Sequence, residues 1–123
     1  MDKDNIGKLG ETLAADFLKN KNYEILAQNW TFKHEEIDII ALKNKILVVV
    51  EVKTRSAQSA AVAEPFLAIT REKQRHLIQA ANAFVEKNFL NVEVRFDIIS
   101  VIIAGEKHII EHIEDAFYPI LKK

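Results

Sequence analysis

The chain has 123 residues, a formal net charge of −1 and no cysteine. The length points to a single domain over 1–123 with a genuine core, and the absent cysteine excludes disulfide scaffolds, thiolate metal sites and cysteine nucleophiles. The charge balance argues against a uniformly basic polyanion-binding surface while leaving room for a local basic groove, and neither a signal core nor an apolar run of spanning length is seen, so a cytoplasmic protein without membrane contact is expected.

Asn5 to Asn20 reads as a helix: Ile6, Leu9, Leu13, Phe17 and Leu18 recur at helical spacing, and Asp4 or Asn5 can cap its start. Gly7, Gly10 and Ala14 lie within or beside the apolar arc, where small residues let a helix approach a sheet closely. Glu11 sits at the edge of that arc; it is either a solvated helix carboxylate or a group reaching a site at the sheet margin. Tyr23 to Phe32 looks extended, and Lys33-His34-Glu35-Glu36 leads into the next strand.

Ile37 to Arg55 is the organising stretch. Two apolar, β-branched runs joined by the polar turn Lys43-Asn44-Lys45 read as paired strands. The second run, Ile46 to Val50, is apolar on both faces, as in a central strand covered on both sides, yet it ends in Glu51-Val52-Lys53. Strand alternation puts Glu51 and Lys53 on one face, roughly 7 Å apart along the strand. Asp38 can lie across from them, and Glu36 shares the expected face of Asp38. Carboxylates in such a run are costly to bury unless a cation or strong donors meet them.

Ser56 to Pro65, rich in Ser and Ala, reads as a loop placed to grip a substrate. Thr70 to Asn88 is the second helix, with Thr70 as N-cap and an apolar stripe of Leu77, Ile78, Ala81, Phe84 and Val85. Projecting that stripe back brings Lys73 and Gln74 inward, flanked by Arg71 and Arg75. An inward lysine either snorkels or meets an anion, and cations at a helix start oppose its dipole unless an anion is bound. Val92 to Ile103 is a further strand, Ala104 to Lys107 a turn, His108 to Ile113 an edge strand or closing turn, and Asp115 to Lys123 a packed tail closed by Pro119. The order helix, three strands, helix, strands gives an α/β class with a central mixed sheet flanked by helices.

Asp38, Glu51 and the Val52 carbonyl are hard oxygen donors suited to Mg²⁺. A metal there acidifies water and stabilises charge on a phosphoryl group, and Lys53 could orient or deprotonate the attacking water, or offset developing negative charge. The plainer alternative is a structural Glu-Lys pair at a strand end. Lys53, Arg55, Arg71, Lys73 and Arg75 would surround the acidic cluster and hold phosphates if the second helix folds over the sheet end; otherwise they are scattered solvated charges. His108-Ile109-Ile110-Glu111-His112 spells an inverted zinc-protease motif, but that chemistry needs a helix and this isoleucine-rich segment follows a glycine turn. It is expected not to bind zinc.

At these residues the sequence resembles the PD-(D/E)xK, or restriction-endonuclease-like, nuclease superfamily, and within it the small bacterial YraN-like proteins, kin to archaeal Holliday-junction resolvases. The resemblance rests on Gly7-Lys8-Leu9-Gly10-Glu11, Asn29, Glu36-Ile37-Asp38-Ile39-Ile40, Val50-Glu51-Val52-Lys53-Thr54-Arg55, Lys73, Arg95-Phe96-Asp97 and the run from Ile113 to Phe117. It implies a restriction-endonuclease-like fold, Mg²⁺ or Mn²⁺ at Asp38 and Glu51, Glu11 as an accessory acid and Lys53 as the water-orienting base. It further implies phosphodiester hydrolysis in DNA, branched or damaged DNA included, and leaves room for a homodimer. Glu35 stands where the group usually has Gly, and Thr31 where it commonly has Arg. Two other readings stay open from the residues alone: a nucleic-acid-binding module with this fold and no catalysis, to which Arg55, Arg71, Lys73, Gln74 and Arg75 would contribute, and a structural role for the acidic cluster.

Overall fold

A computed structural model describes residues 3–59 and 68–119. Helix α1 (Lys3–Asn20) precedes strands β1 (Glu24–Phe32), β2 (Glu35–Lys43) and β3 (Ile46–Ser56); a 3₁₀ turn (Ala57–Ser59), helix α2 (Arg71–Lys87) and strands β4 (Glu93–Ala104) and β5 (Lys107–Phe117) follow. The five strands form one sheet in the order β1-β2-β3-β4-β5. β3 and β4 run parallel, and every other neighbouring pair is antiparallel. This is an α/β arrangement with a mixed sheet between two helices, compatible with a restriction-endonuclease-like fold.

Local chemistry accounts for the turns. Asn44 and Lys45 both take positive φ (53° and 64°) in the two-residue loop joining β2 to β3, the backbone that matches the twist of a tight hairpin. Gly105, at φ 63°, opens the β4–β5 turn, where a side chain would be strained. Thr70 is extended (φ −63°, ψ 156°) and its hydroxyl accepts from the Lys73 N–H at 3.1 Å, so α2 starts where the sequence suggests.

β3 is buried on both faces because it feeds two cores. Val48 and Val50 pack with Ala14, Ala15, Leu18 and Ile99 on the α1 side, whereas Leu47 and Val49 pack with Leu77, Ala81, Phe84 and Phe96 on the α2 side. Each such side chain contributes about 1.5–3 kcal/mol by leaving water, which makes β3 the best-anchored element.

Helix α1 lies against this strand at Gly10. A methyl group there would run into the Thr54 side chain, while one at Gly7 would meet nothing within 4 Å. Only Gly10 is therefore required by the close approach.

Two expectations need correction. Asp115 does not open a tail: β5 continues to Phe117, which stacks on Phe96 at 4.8 Å, and residues 120–123 of that expected tail lie outside the described residues. The strand gets there through an irregularity opposite Phe96 and Ile98, with Asp115 at φ 52° and its N–H donating to Asp97 Oδ1 at 3.1 Å. Nor does Ser56 begin a loop; it is the last residue of β3 and pairs with Ile103. Residues 60–65 of that expected loop lie outside the described residues.

Candidate metal and phosphate site

The chemistry-bearing residues collect where the β2–β3 ladder opens. Its last pair is Ile39 with Val50. Beyond it the Asp38 carboxylate takes over the pairing, its Oδ2 accepting from the Val52 N–H at 2.8 Å. Asp38 occupies an interruption in β2: Ile37 belongs to the α2-side core and Ile39 to the α1-side core. The period-two rule behind a shared face for Glu36 and Asp38 thus breaks at Asp38 itself. Opposite it, Asn29 of β1 is at φ 52° between the pairs Gln28–Ile39 and Trp30–Ile37.

Burial pushes the Asp38 carboxyl up to about 8, and the neighbouring Glu51 carboxylate adds to this both by its charge and by a carboxyl–carboxyl hydrogen bond. The Val52 N–H and the more distant Glu11 act in opposite directions, the first favouring the anion, the second opposing it. Glu11 is itself raised, first by burial, with Glu36 and Glu51 adding repulsion and a hydrogen bond from Asn29 partly relieving it. Three carboxyls from α1, β2 and β3 therefore feel one another at one end of the sheet. The Gly10–Thr54 contact is what carries Glu11 there, one residue along the same helix.

One cation is paired with them and a second shares a strand face with Glu51. Lys73, from the first turn of α2, lies 3.0 Å from Glu35 Oε2 and 3.6 Å from Glu51 Oε2. Burial opposes its charge, but Glu35, Glu51 and Asp38 together hold its proton more tightly than usual. Lys53 follows Glu51 on β3 two residues later, so its Cβ leaves the same face, toward α2, with Ser100 beside it on β4.

The remaining basic candidates lie on β3 and α2. Arg55 continues the Glu51–Lys53 face and is partly buried; Arg71 and Arg75 are exposed on α2. Gln74 is turned inward, but its amide donates to the Ile69 carbonyl at 2.9 Å and so braces the entry to the helix. Glu35 is not among the site residues the sequence points to, yet its ion pair with Lys73 and its 3.6 Å approach to His76 place it beside the cluster. Its place at the start of β2, next to Glu36, is the signal the sequence offers.

The histidine motif takes a different part. It lies in strand β5, where His108 and His112 are two pleats apart rather than one helical turn. His112 Nε2 meets the buried Asp97 carboxylate at 2.7 Å. Arg95 donates to both Asp97 oxygens (2.9 and 2.9 Å) and to the Tyr23 hydroxyl at 2.7 Å. Burial would raise Asp97, but His112, Arg95 and the Asp115 N–H outweigh it and hold the carboxylate below its ordinary range. This network ties Tyr23, just ahead of β1, to β4 and β5.

Among the described residues no three His, Cys, Asp or Glu side chains form a ready-made metal cage. Mg²⁺ does not require one: it keeps several waters and is usually held by one or two carboxylates. Asp38 and Glu51 supply oxygen donors of that kind, and the raised proton affinity of Asp38 beside the Glu51 carboxylate marks a position where positive charge is wanted. The donor set fits a small hard cation.

A family model described as "Uncharacterised protein family UPF0102" matches residues 10–101. A UPF0102 protein of Flavobacterium psychrophilum is 48% identical over 114 residues, covering 93% of this chain and 94% of the relative. A UPF0102 protein of Bacteroides fragilis is 44% identical over 116 residues, covering 94% of each. The matched span contains Glu11, Asp38, Glu51, Lys53 and Lys73, and it agrees with the YraN-like resemblance read from the sequence. Among the described residues no helix is long and apolar enough to cross a membrane.

Proposed function

From a chain that belongs to the UPF0102 family, we propose a divalent-metal-dependent nuclease that hydrolyses phosphodiester bonds in DNA, branched or damaged DNA included. The observation that supports this most directly is the Asp38–Glu51 carboxyl pair, half-buried where the β2–β3 ladder opens, with Lys73 ion-paired to its Glu51 member. Acids outnumber cations at this end of the sheet, so a phosphate would be repelled until a cation enters. Once one does, the same groups become a phosphate site with Lys73 at its margin.

Asp38, Glu51 and the Val52 carbonyl would hold Mg²⁺ or Mn²⁺. Such an ion supplies Lewis-acid stabilisation of a phosphoryl group and acidifies water. The chain's own residues have separable tasks. The Val52 N–H fixes one Asp38 oxygen at 2.8 Å, which leaves the other for the ion. Lys53, on the Glu51 face, orients the attacking water and offsets charge developing on the phosphate. Glu11 accepts a proton or a water at the far side of the pair. Lys73 is held over Glu51 by Glu35 and is placed to meet a non-bridging phosphate oxygen; Arg55, Arg71 and Arg75 extend the contact along the backbone.

The test is cleavage of labelled single-stranded, duplex and four-way-junction DNA with Mg²⁺, Mn²⁺ or EDTA, wild type beside Glu51→Gln. Metal-dependent cutting that the variant loses is the expected result. Binding without cutting of any substrate would replace this reading with a non-catalytic nucleic-acid-binding module.

A further inference from the structure

Beside the carboxyl cluster, the β1–β2 turn and the facing side of α2 line a half-open cavity of about 280 Å³, bordered by Phe32, Lys33, His34, Glu35, His76 and Gln79. Its aromatic wall is Phe32, whose ring lies parallel to Trp30 (4° between planes, 6.3 Å between centroids). Trp30 is fixed in turn by an edge-on contact with Phe84 of α2 at 5.2 Å. Lys33 stands 5.4 Å from the Phe32 centroid. The other lining side chains carry hydrogen-bonding groups of both kinds: a carboxylate, a primary amide and two imidazoles.

An aromatic wall edged by mixed donors and acceptors suits a flat heteroaromatic ring with donors and acceptors on its own rim. The volume lies just below that of pockets for drug-sized ligands, which suits one such ring and little more. Glu35, the acid of the lining, is not a bare charge: Lys73 at 3.0 Å and His76 at 3.6 Å flank it, so its oxygens can accept from a neutral ligand without a large desolvation cost.

The cavity also has an address. Lys73 bridges Glu35 of the lining and Glu51 of the carboxyl pair, so a phosphate that reaches Lys73 carries its attached base toward Phe32.

We propose that this cavity binds the base of an unpaired nucleotide next to the scissile phosphate, making the preferred substrate single-stranded or carrying an unpaired or extruded base. A base stacked in an intact duplex would first have to leave its partner and its stack, at a cost of about a few kcal/mol. The inference rests on the nuclease reading of the neighbouring carboxyls and names the substrate class for that site.

Trp30 is the chain's only tryptophan, and its parallel contact with Phe32 makes its fluorescence a reporter of the cavity. Ca²⁺ takes the place of Mg²⁺ in the experiment, as a hard oxygen-seeking cation that can fill the carboxyl pair but is a poorer Lewis acid for cutting. The full chain is titrated with four oligonucleotides of one sequence. They are a single strand, a perfect duplex, a duplex with one unpaired base, and the same duplex with an abasic residue at that position. The single strand and the unpaired-base duplex are expected to bind about tenfold more tightly than the perfect or abasic duplex, with a change in Trp30 emission confined to the first two. Phe32→Leu and the exposed Gln79→Ala should each shrink the difference between base-bearing and abasic duplex; the second puts the best helix former at an exposed position of α2, so loss of fold does not explain its effect. Equal binding of base-bearing and abasic duplexes, or variants that leave their difference intact, would overturn the base pocket while leaving a nuclease that grips backbone alone. Binding of none of the four would overturn the nuclease reading and the pocket with it.

Discussion

The Asp38 side chain and the Val52 backbone link β2 to β3 by a 2.8 Å hydrogen bond made after main-chain pairing has ended at Ile39 and Val50. A carboxylate thus does the work of a peptide group at a strand end, and it does so within reach of a second carboxylate. The arrangement is expensive without a cation and useful with one.

Asp38 is therefore expected to make stability fall as pH rises. Its proton is held more tightly in the folded chain than in the unfolded one, so the stability it contributes is complete below the ordinary 3.8 and lost as pH climbs through about 8. Thermal unfolding in EDTA from pH 5 to 8.5 should show a declining midpoint for wild type and a flatter one for Asp38→Asn. Mn²⁺ should restore wild type at the upper end and leave the variant unmoved. A wild-type midpoint that rises across this range without metal would contradict the assignment.

Lys73→Ala separates function from stability. The lysine side chain is 36% exposed, so its two ion pairs are worth under about 1 kcal/mol to the fold. Its loss should leave the urea midpoint nearly unchanged while lowering oligonucleotide affinity several-fold and reducing the salt dependence of binding. Unchanged affinity would remove Lys73 from the phosphate contact.

Asp97→Asn should be among the most damaging single substitutions, at about 3–5 kcal/mol, because Arg95 would lose its buried partner. Asp97 is depressed in the fold, so its contribution is present above the ordinary carboxyl range and disappears as pH falls through its lower folded value. Urea unfolding at pH 7 gives the first quantity, and acid titration of wild type against Asp97→Asn gives the second.

Gly10→Ala should destabilise by about 1–3 kcal/mol, the usual cost of overpacking, since the added methyl meets Thr54. Pairing it with Thr54→Ala should recover part of the loss. Additive losses in the double variant would show that the contact is not what limits the approach of α1.

The sequence carried the local parts of this structure well. The β-branched runs around Asn44-Lys45 specify a hairpin, Thr70 specifies a helix start, and the unbroken apolar run before Glu51 specifies a central strand. What it could not carry depends on how elements dock. The Glu35–Lys73 pair exists only because α2 settles over the β1–β2 turn. The slip between Ile37 and Ile39 defeats simple alternation. His112 and Asp97 meet across a strand pair whose register shifts beside them. An aspartate inside the apolar run Val94 to Ile103 was the visible clue, and it pointed to a partner without naming it.

The topology also sets an order in time. β1, β2 and β3 form a meander closed by tight turns, whereas β3 and β4 can align in parallel only after the whole excursion through α2 has been drawn in. Glu11, Asp38 and Glu51 all belong to the part with short closures, and Lys73 arrives with the later part. During assembly the acids meet before Lys73 reaches them. Protons or divalent ions that screen them at that stage speed the climb to the folding barrier as well as deepening the final well, which makes the refolding rate of this chain a kinetic record of its carboxyl cluster.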